Sequence, residues 1–230
     1  MSTLLITGAN RGLGLELTKE FALRRWQVLA CCRAPEEAGD LQALAATSDS
    51  VTIHRLEVSD LGQIRDLADR LKGMPIDILF NNAGIFGPEH QGFGETDEAG
   101  WLETFRVNSI APLRLAEAFV EHVAASERRI IAAMGSVMGS IAENDSGGYY
   151  AYRTSKAAVH MVMKGLAVDL APRGIITAAF HPGWVQTRMG GSAAPLTPVE
   201  SAAGLAGVLL GLRREQSGSL IDYQGNVRPW

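Results

Sequence analysis

Cysteine is scarce in this sequence: the two that occur, Cys31 and Cys32, are neighbours inside an apolar run. Adjacent residues make a poor disulfide framework, so the pair reads as buried thiols of a reducing compartment. No apolar stretch approaches the roughly 20 residues of a membrane-spanning helix, and a membrane partner is not expected. Basic residues form no stripe, and the formal net charge of -4 gives no footprint for nucleic acid. His54, His90, His122, His160 and His181 are scattered without ligand spacing, so no metal is expected. The opening Met1-Ser2-Thr3 lacks the basic region and cleavage site of a secretory leader, and a cytoplasmic location is expected. There is no Pro/Gly/Ser-rich linker and no internal repeat. With 47% apolar and 20% charged residues, the 230 positions suit one globular domain with one substantial core, spanning 1–230.

What is present is an alternation of short apolar runs and helical patterns. Leu4-Leu5-Ile6 reads as a strand, and Leu13, Leu17 and Phe21 recur at helical spacing before a second strand at 27–31. Helices at 35–46 and 61–72 and strands at 51–55 and 76–80 follow. A long helical stretch at 98–125, a strand at 129–134, a helix at 150–171, a strand at 175–180, a helix at 198–212 and a strand at 219–221 complete the series. Such alternation predicts an α/β, doubly wound Rossmann fold, a mostly parallel sheet with helices on both faces. The irregular stretches 84–96, 139–148 and 190–197 fall near strand ends, where such sheets place their ligand crevice. Residues 189–198, with Pro195 and Pro198 limiting their freedom, are the candidate substrate lid.

Thr7-Gly8-Ala9-Asn10-Arg11-Gly12-Leu13-Gly14 follows the first strand and opens the first helix. Gly8 turns the chain, Gly12 lets backbone approach a pyrophosphate, and Gly14 permits close helix–sheet contact. Free N–H groups at the helix start favour anionic oxygens. The second strand ends in Cys31-Cys32-Arg33, with no acid for an adenosine ribose. Arg33, with Arg11, can instead meet a 2'-phosphate, which favours NADP(H) over NAD(H); the bland alternative is a solvent-facing pair. Asp60, after Val58-Ser59, stands where it can cap the next helix.

Tyr152 and Lys156 lie one helical turn apart on one face. A phenol with an ordinary pKa near about 10 is a reluctant base, and a neighbouring ammonium helps it exchange a proton. Ser136, after the strand that precedes this helix, is suited to orient a reacting oxygen; no Ser/His/acid set surrounds it. Tyr149 and Tyr150 have no lysine four positions on, and Ser140 competes with Ser136 for its role.

Together these motifs resemble the short-chain dehydrogenase/reductase superfamily: Thr-Gly-x-x-x-Gly-x-Gly at 7–14, Asn81-Asn82-Ala83-Gly84, Ser136, Tyr152-x-x-x-Lys156 and Pro182-Gly183, in that order. Gly139-Ser140-Ile141, the 148–156 block and Pro229-Trp230 resemble its C-factor and sniffer-type carbonyl reductases. The resemblance implies that Asn108 completes a tetrad with Ser136, Tyr152 and Lys156, helping to hold a water that links Lys156 to solvent. It also implies that Asp60, with Val58, meets the adenine and that Asn82, Ala83 and Gly84 line the cofactor site. The same resemblance implies that Tyr152 and Lys156 reach the nicotinamide ribose, and that Pro182, Gly183, Val185 and Thr187 border the nicotinamide carboxamide. One departure is visible: Ser136 precedes Tyr152 by 16 positions, against about 13 in the family, and 143–148 is the insertion, which anchored loop ends can absorb. Trp184 is either a wall of the substrate site or core packing, and Arg188 either an anion contact or a solvated lid residue.

The expected activity is NADPH-dependent reduction of a small aldehyde or ketone, with Tyr152 as the acid. Alternatives are NAD-dependent oxidation of a secondary alcohol, or a cofactor-binding signalling protein with incidental redox activity. A homo-dimer or homo-tetramer is plausible through the long helices.

Overall fold

The computed structural model describes residues 1–230. Eight strands form one sheet: β1 (Thr3–Thr7), β2 (Gln27–Cys32), β3 (Val51–Arg55), β4 (Ile78–Asn81), β5 (Ile130–Met134), β6 (Ile176–His181), β7 (Ser219–Asp222) and β8 (Val227–Arg228). Their spatial order is β3-β2-β1-β4-β5-β6-β7-β8, parallel up to β7 and antiparallel only at β8. The helices are α1 (Gly12–Leu23), α2 (Gly39–Thr47), α3 (Leu61–Arg70), α4 (Glu98–Phe105), α5 (Ala111–Ala124), α6 (Tyr150–Asp169) and α7 (Pro198–Leu210). This is the doubly wound Rossmann arrangement the alternation predicts. The strand order reverses between β1 and β4, which opens the crevice at their carboxyl ends.

The inner strands β1, β4 and β5 are buried along their whole length because both faces of the sheet are covered. Leu4 and Ile6 join one core with Phe21, Phe80, Phe180 and Leu205, beneath α1 and α7. Leu5 points the other way, into a core with Leu67, Phe119, Ile131 and Met163, beneath α3, α5 and α6. The two-residue period also separates the cysteines: Cys31 belongs to the second core and Cys32 to the first, so neighbours in sequence cannot bridge.

The observed boundaries depart from the predicted ones for local reasons. The helix expected from residue 35 begins as a short 3₁₀ turn, Pro35–Glu37, before α2. β4 starts two residues late, at Ile78, although the Asp77 N–H still donates to the Thr3 carbonyl at 2.9 Å and its carbonyl accepts the Ile130 N–H at 3.0 Å; its buried carboxylate also accepts the Thr3 N–H at 2.8 Å. The helical stretch at 98–125 is interrupted by a π-helical turn, Arg106–Ile110, between α4 and α5. β8 went unpredicted, being only two residues long.

At the centre of the first core, the rings of Phe80 and Phe180 meet edge to face at 6.1 Å. Both are fully buried. Phe180→Ala is expected to lower stability by about 3–5 kcal/mol, read as a lower urea midpoint at unchanged m-value.

Candidate active site

The turn after β1 is shaped by what it excludes. Gly8 and Gly12 have φ of +66° and +54°, the left-handed region that favours glycine. A Cβ on Gly14 would lie 2.1 Å from the Gly8 carbonyl oxygen, and one on Gly8 would lie 2.9 Å from the Ala83 Cα. α1 begins here with no side-chain cap, Arg11 being its N-cap residue. The N–H groups of Gly12, Leu13 and Gly14 therefore need acceptors from outside the helix. An uncapped helix start in a cradle that a Cβ would fill fits the pyrophosphate of a dinucleotide.

The Asn-Asn-Ala-Gly segment is stitched to this cradle. Thr7 Oγ1 accepts the N–H groups of Asn82 and Ala83 at 3.1 and 3.0 Å. Asn82 Nδ2 donates to the carbonyls of Thr7 and Gly8 at 2.8 and 3.2 Å, and Asn81 Nδ2 donates to the Ala132 carbonyl at 3.2 Å. Asn10 is half-buried within the same turn.

On the β2 side, Arg33 is largely exposed and lies 3.6 Å from Glu57. The Arg11 guanidinium is held below its ordinary range by burial, then by the positive charges of Arg188 and Arg33. Three cations thus face one region, and Arg188 joins a cluster that no spacing in the sequence announced. Asp60 serves as the N-cap of α3: it accepts the Gln63 N–H at 3.1 Å and Gln63 Nε2–H at 3.0 Å. These bonds hold its carboxyl below the usual range. Val58 beside it is buried.

Ser136, Tyr152 and Lys156 converge where β5 leaves the sheet against the first turns of α6, and all three are buried. Burial pushes the Tyr152 phenol up to about 12, and contact with the Ser136 hydroxyl pulls it partly back. Lys156 Nζ stands 5.6 Å from the Tyr152 ring centroid and donates to the Met134 carbonyl at 2.6 Å. Burial brings its amine down to about 8. Desolvation acts on both groups by disfavouring their charged forms. The hydroxyl in contact with the Tyr152 phenol is that of Ser136, whereas the Ser140 hydroxyl accepts the Glu143 N–H at 3.2 Å.

Asn108 sits in the π-helical turn. Its Nδ2 donates to the Ile85 carbonyl at 2.8 Å and to Ser155 Oγ at 3.0 Å, while its Oδ1 accepts the Ile85 N–H at 2.9 Å. Both amide hydrogens are thereby committed to protein atoms. Gly84 lies between Asn108 and Lys156: a Cβ there would come to 3.2 Å from Asn108 Oδ1 and 3.7 Å from Lys156 Nζ.

The inserted loop leaves this geometry intact because Arg153 ties it down. Its guanidinium donates to the Gly147 carbonyl at 3.1 Å and to Ser146 Oγ at 2.7 Å. Residues 147, 148 and 149 all have positive φ, a tight reversal that delivers the chain to the start of α6.

Pro182, Gly183, Val185 and Thr187 follow β6 beneath the candidate lid. Gly183 has φ +85°, and a Cβ on it would meet Leu196 at 2.8 Å. A Cβ on Gly12 would meet the Thr187 methyl at 3.5 Å, so this segment reaches the cradle. Residues 189–198 fold back on it: the Gln186 N–H donates to the Leu196 carbonyl at 2.8 Å, and the Gly191 N–H to the Thr187 carbonyl at 2.9 Å. Trp184 is not core packing. It is 58% exposed, with its indole N–H on the Gly190 carbonyl at 2.8 Å.

Sequence reading passed over Gln91. Its buried carboxamide accepts the Tyr152 N–H at 2.9 Å and donates to the carbonyls of Phe86 and Pro88 at 3.0 and 2.8 Å. Phe86 then packs 4.7 Å from the Tyr152 ring. A glutamine in a glycine-rich loop carries no spacing that marks such a task.

A family model described as short chain dehydrogenase matches residues 2–195. The C-signal of Myxococcus xanthus is 44% identical over 156 residues, covering 68% of this chain and 93% of that protein. Among solved structures, the carbonyl reductase Sniffer of D. melanogaster has a TM-score of 0.94 and 35% identity, covering 100% of both chains. The NADPH-bound carbonyl reductase from chicken fatty liver has a TM-score of 0.93 and 32% identity, covering 100% of this chain and 99% of that one.

The Lys156 amine titrates near 8 in the folded chain, below its ordinary 10.5. Between those values the unfolded chain binds more protons, so stability rises with pH. From pH of about 8 to about 9.5, below the phenol's range, wild-type urea midpoints should climb more steeply than those of Lys156→Met.

Proposed function

The chain belongs to the short-chain dehydrogenase family, and on that premise we propose that this oxidoreductase reduces a small aldehyde or ketone to an alcohol with NADPH. The reading is carried by one observation: buried Tyr152, Lys156 and Ser136 converge in the crevice that holds an uncapped, glycine-lined helix start. It is supported by the likeness to two carbonyl reductases, one of them NADPH-bound.

In this proposal Gly8, Asn10, Gly12, Leu13 and Gly14 hold the pyrophosphate. Arg11 and Arg33 hold the 2'-phosphate, with Arg188 adding a third cation, and Val58 and Asp60 border the adenine. Asn82, Ala83, Gly84, Pro182, Gly183, Val185 and Thr187 line the nicotinamide end, where Tyr152 and Lys156 meet the ribose. When bound, the dinucleotide supplies hydride. A phenol held near 12 is protonated at neutral pH, so Tyr152 donates its proton to the substrate oxygen. The Ser136 hydroxyl supports the charge growing on that oxygen. Lys156, titrating near 8, returns a proton to Tyr152, and Asn108 fixes the surrounding chain through Ile85 and Ser155. The segment 189–198 serves as the substrate lid. Two buried free thiols suit a reducing compartment such as the cytoplasm.

A second reading, a cofactor-binding signalling protein, draws on the 44% identity to the C-signal. The intact proton-transfer cluster favours the enzyme. A screen of aldehydes, ketones, quinones and hydroxy compounds with both cofactors separates the two: turnover supports the reductase, and NADPH binding without any turnover supports the signalling protein.

Two outcomes are expected. Tyr152→Phe should fold and bind NADPH while losing roughly 10²-fold or more in kcat, and wild-type turnover in that variant would refute the role given to the phenol. In fluorescence titrations NADPH should bind more tightly than NADH, and Arg33→Ala should narrow the gap by roughly tenfold.

A further inference from the structure

One turn beyond Lys156 on the same face of α6 lies His160, which none of the chemistry above uses. Its side chain is 3% exposed. The Ser136 N–H donates to His160 Nε2 at 3.3 Å. An imidazole nitrogen accepts only through a free lone pair, so this bond selects the neutral ring with its proton on Nδ1, an atom that is buried without a hydrogen-bond partner of its own. Burial, with help from the charges of Lys156 and His181, pushes the ring down to about 3, against a smaller opposing pull from the Gly139 backbone. The neutral, accepting form is thus the one present throughout the working range of an enzyme.

Three further features hold the ring in place. Gly135 has no side chain, and a Cβ there would come within 2.7 Å of His160 Nε2. The Trp230 ring covers the imidazole at 5.3 Å between centroids. Trp230 is itself anchored, since its carbonyl accepts the Ala142 N–H at 2.9 Å. Arg228, two residues earlier, pairs with Glu143 at 2.7 Å.

The purpose of this arrangement follows from where α6 grips the exit of β5. It does so at two points, Lys156 Nζ on the Met134 carbonyl and His160 Nε2 on the Ser136 N–H. The first grip belongs to a side chain that also serves the ribose and the proton path. The second has no other duty. Ser136 needs such a grip because its hydroxyl already accepts the Met138 N–H at 3.1 Å, and its direction therefore follows its main chain.

We infer that His160 is a positioning residue of the reaction, its neutral imidazole holding the Ser136 main chain so that the hydroxyl stays on the Tyr152 phenol and the substrate oxygen. This rests on the carbonyl reductase reading above. A buried histidine that only fills space would be replaced equally well by any side chain of its size, whereas this role requires an acceptor.

The test uses the full chain, NADPH, and whichever of benzaldehyde, acetophenone or phenanthrenequinone the wild type reduces fastest. His160→Phe should lower kcat about tenfold, equivalent to about 1.4 kcal/mol of transition-state stabilisation, with the NADPH dissociation constant unchanged. His160→Gln, whose side-chain oxygen reaches the place of Nε2 and can accept the same N–H, should recover most of that loss. Equal kcat in wild type and His160→Phe, alongside an inactive Tyr152→Phe, overturns the inference and leaves the reductase reading standing. A wild type that reduces none of the three probes removes the reading and this role together. Should His160→Phe not fold, ¹⁵N NMR of the wild-type imidazole decides. An unprotonated Nε2 at neutral pH, with kcat higher in His160→Gln than in His160→Leu, supports the role; a protonated Nε2, or equal kcat in the two variants, overturns it.

Discussion

The geometry of the site hangs from the meeting of two strand ends, where the Thr7 hydroxyl takes the N–H groups of Asn82 and Ala83 and the Asn82 amide returns two bonds to the Thr7 and Gly8 carbonyls. The backbones run so close that Gly8 and Gly14 have no room for a side-chain carbon. Closeness at this crossing sets the orientation of the anion cradle on one side. On the other it places Gly84 between Asn108 and Lys156. A single seam therefore fixes the distance between the part of the protein suited to phosphate and the part suited to proton transfer.

The second organising element is α6, whose first turns are pinned from outside the helix. Gln91 holds the Tyr152 N–H, Arg153 holds the inserted loop, and Ser155 receives Asn108. Pinning matters because the helix carries two groups whose charged forms burial disfavours, a phenol pushed up and an amine pushed down. The two shifts run in opposite directions and pull apart two groups whose ordinary values nearly coincide. A protonated donor and an amine poised near neutrality are the result.

Much of this is legible in the residues alone. Strands buried on both faces read as unbroken apolar runs, and a glycine-rich turn between strand and helix has a narrow set of physical uses, so the fold and the cradle follow from pattern. The Tyr152/Lys156 pair follows from helical spacing, and the choice of Ser136 over Ser140 from its family-like relation to Gly139. What pattern leaves out are groups that act through main-chain atoms. Gln91 and His160 each grip a backbone N–H distant in sequence, and nothing about their neighbours signals it. The addition of Arg188 to Arg11 and Arg33 is equally invisible, since it depends on how the chain after β6 folds back. The π-helical turn is hidden for a different reason: hydrophobic periodicity passes through a one-residue expansion without losing its general form.

That expanded turn gives the molecule two unlike responses to a change of chain length. In the stretch 143–148 an extra residue bulges outward between ends held by other contacts. At Arg106–Ile110 the same change would be passed on as rotation, about 100° for each residue. All fourteen residues of α5 would then swing their buried stripe off the sheet, and Asn108 would leave Ile85. Length is free to drift in the first segment and is locked to helical phase in the second.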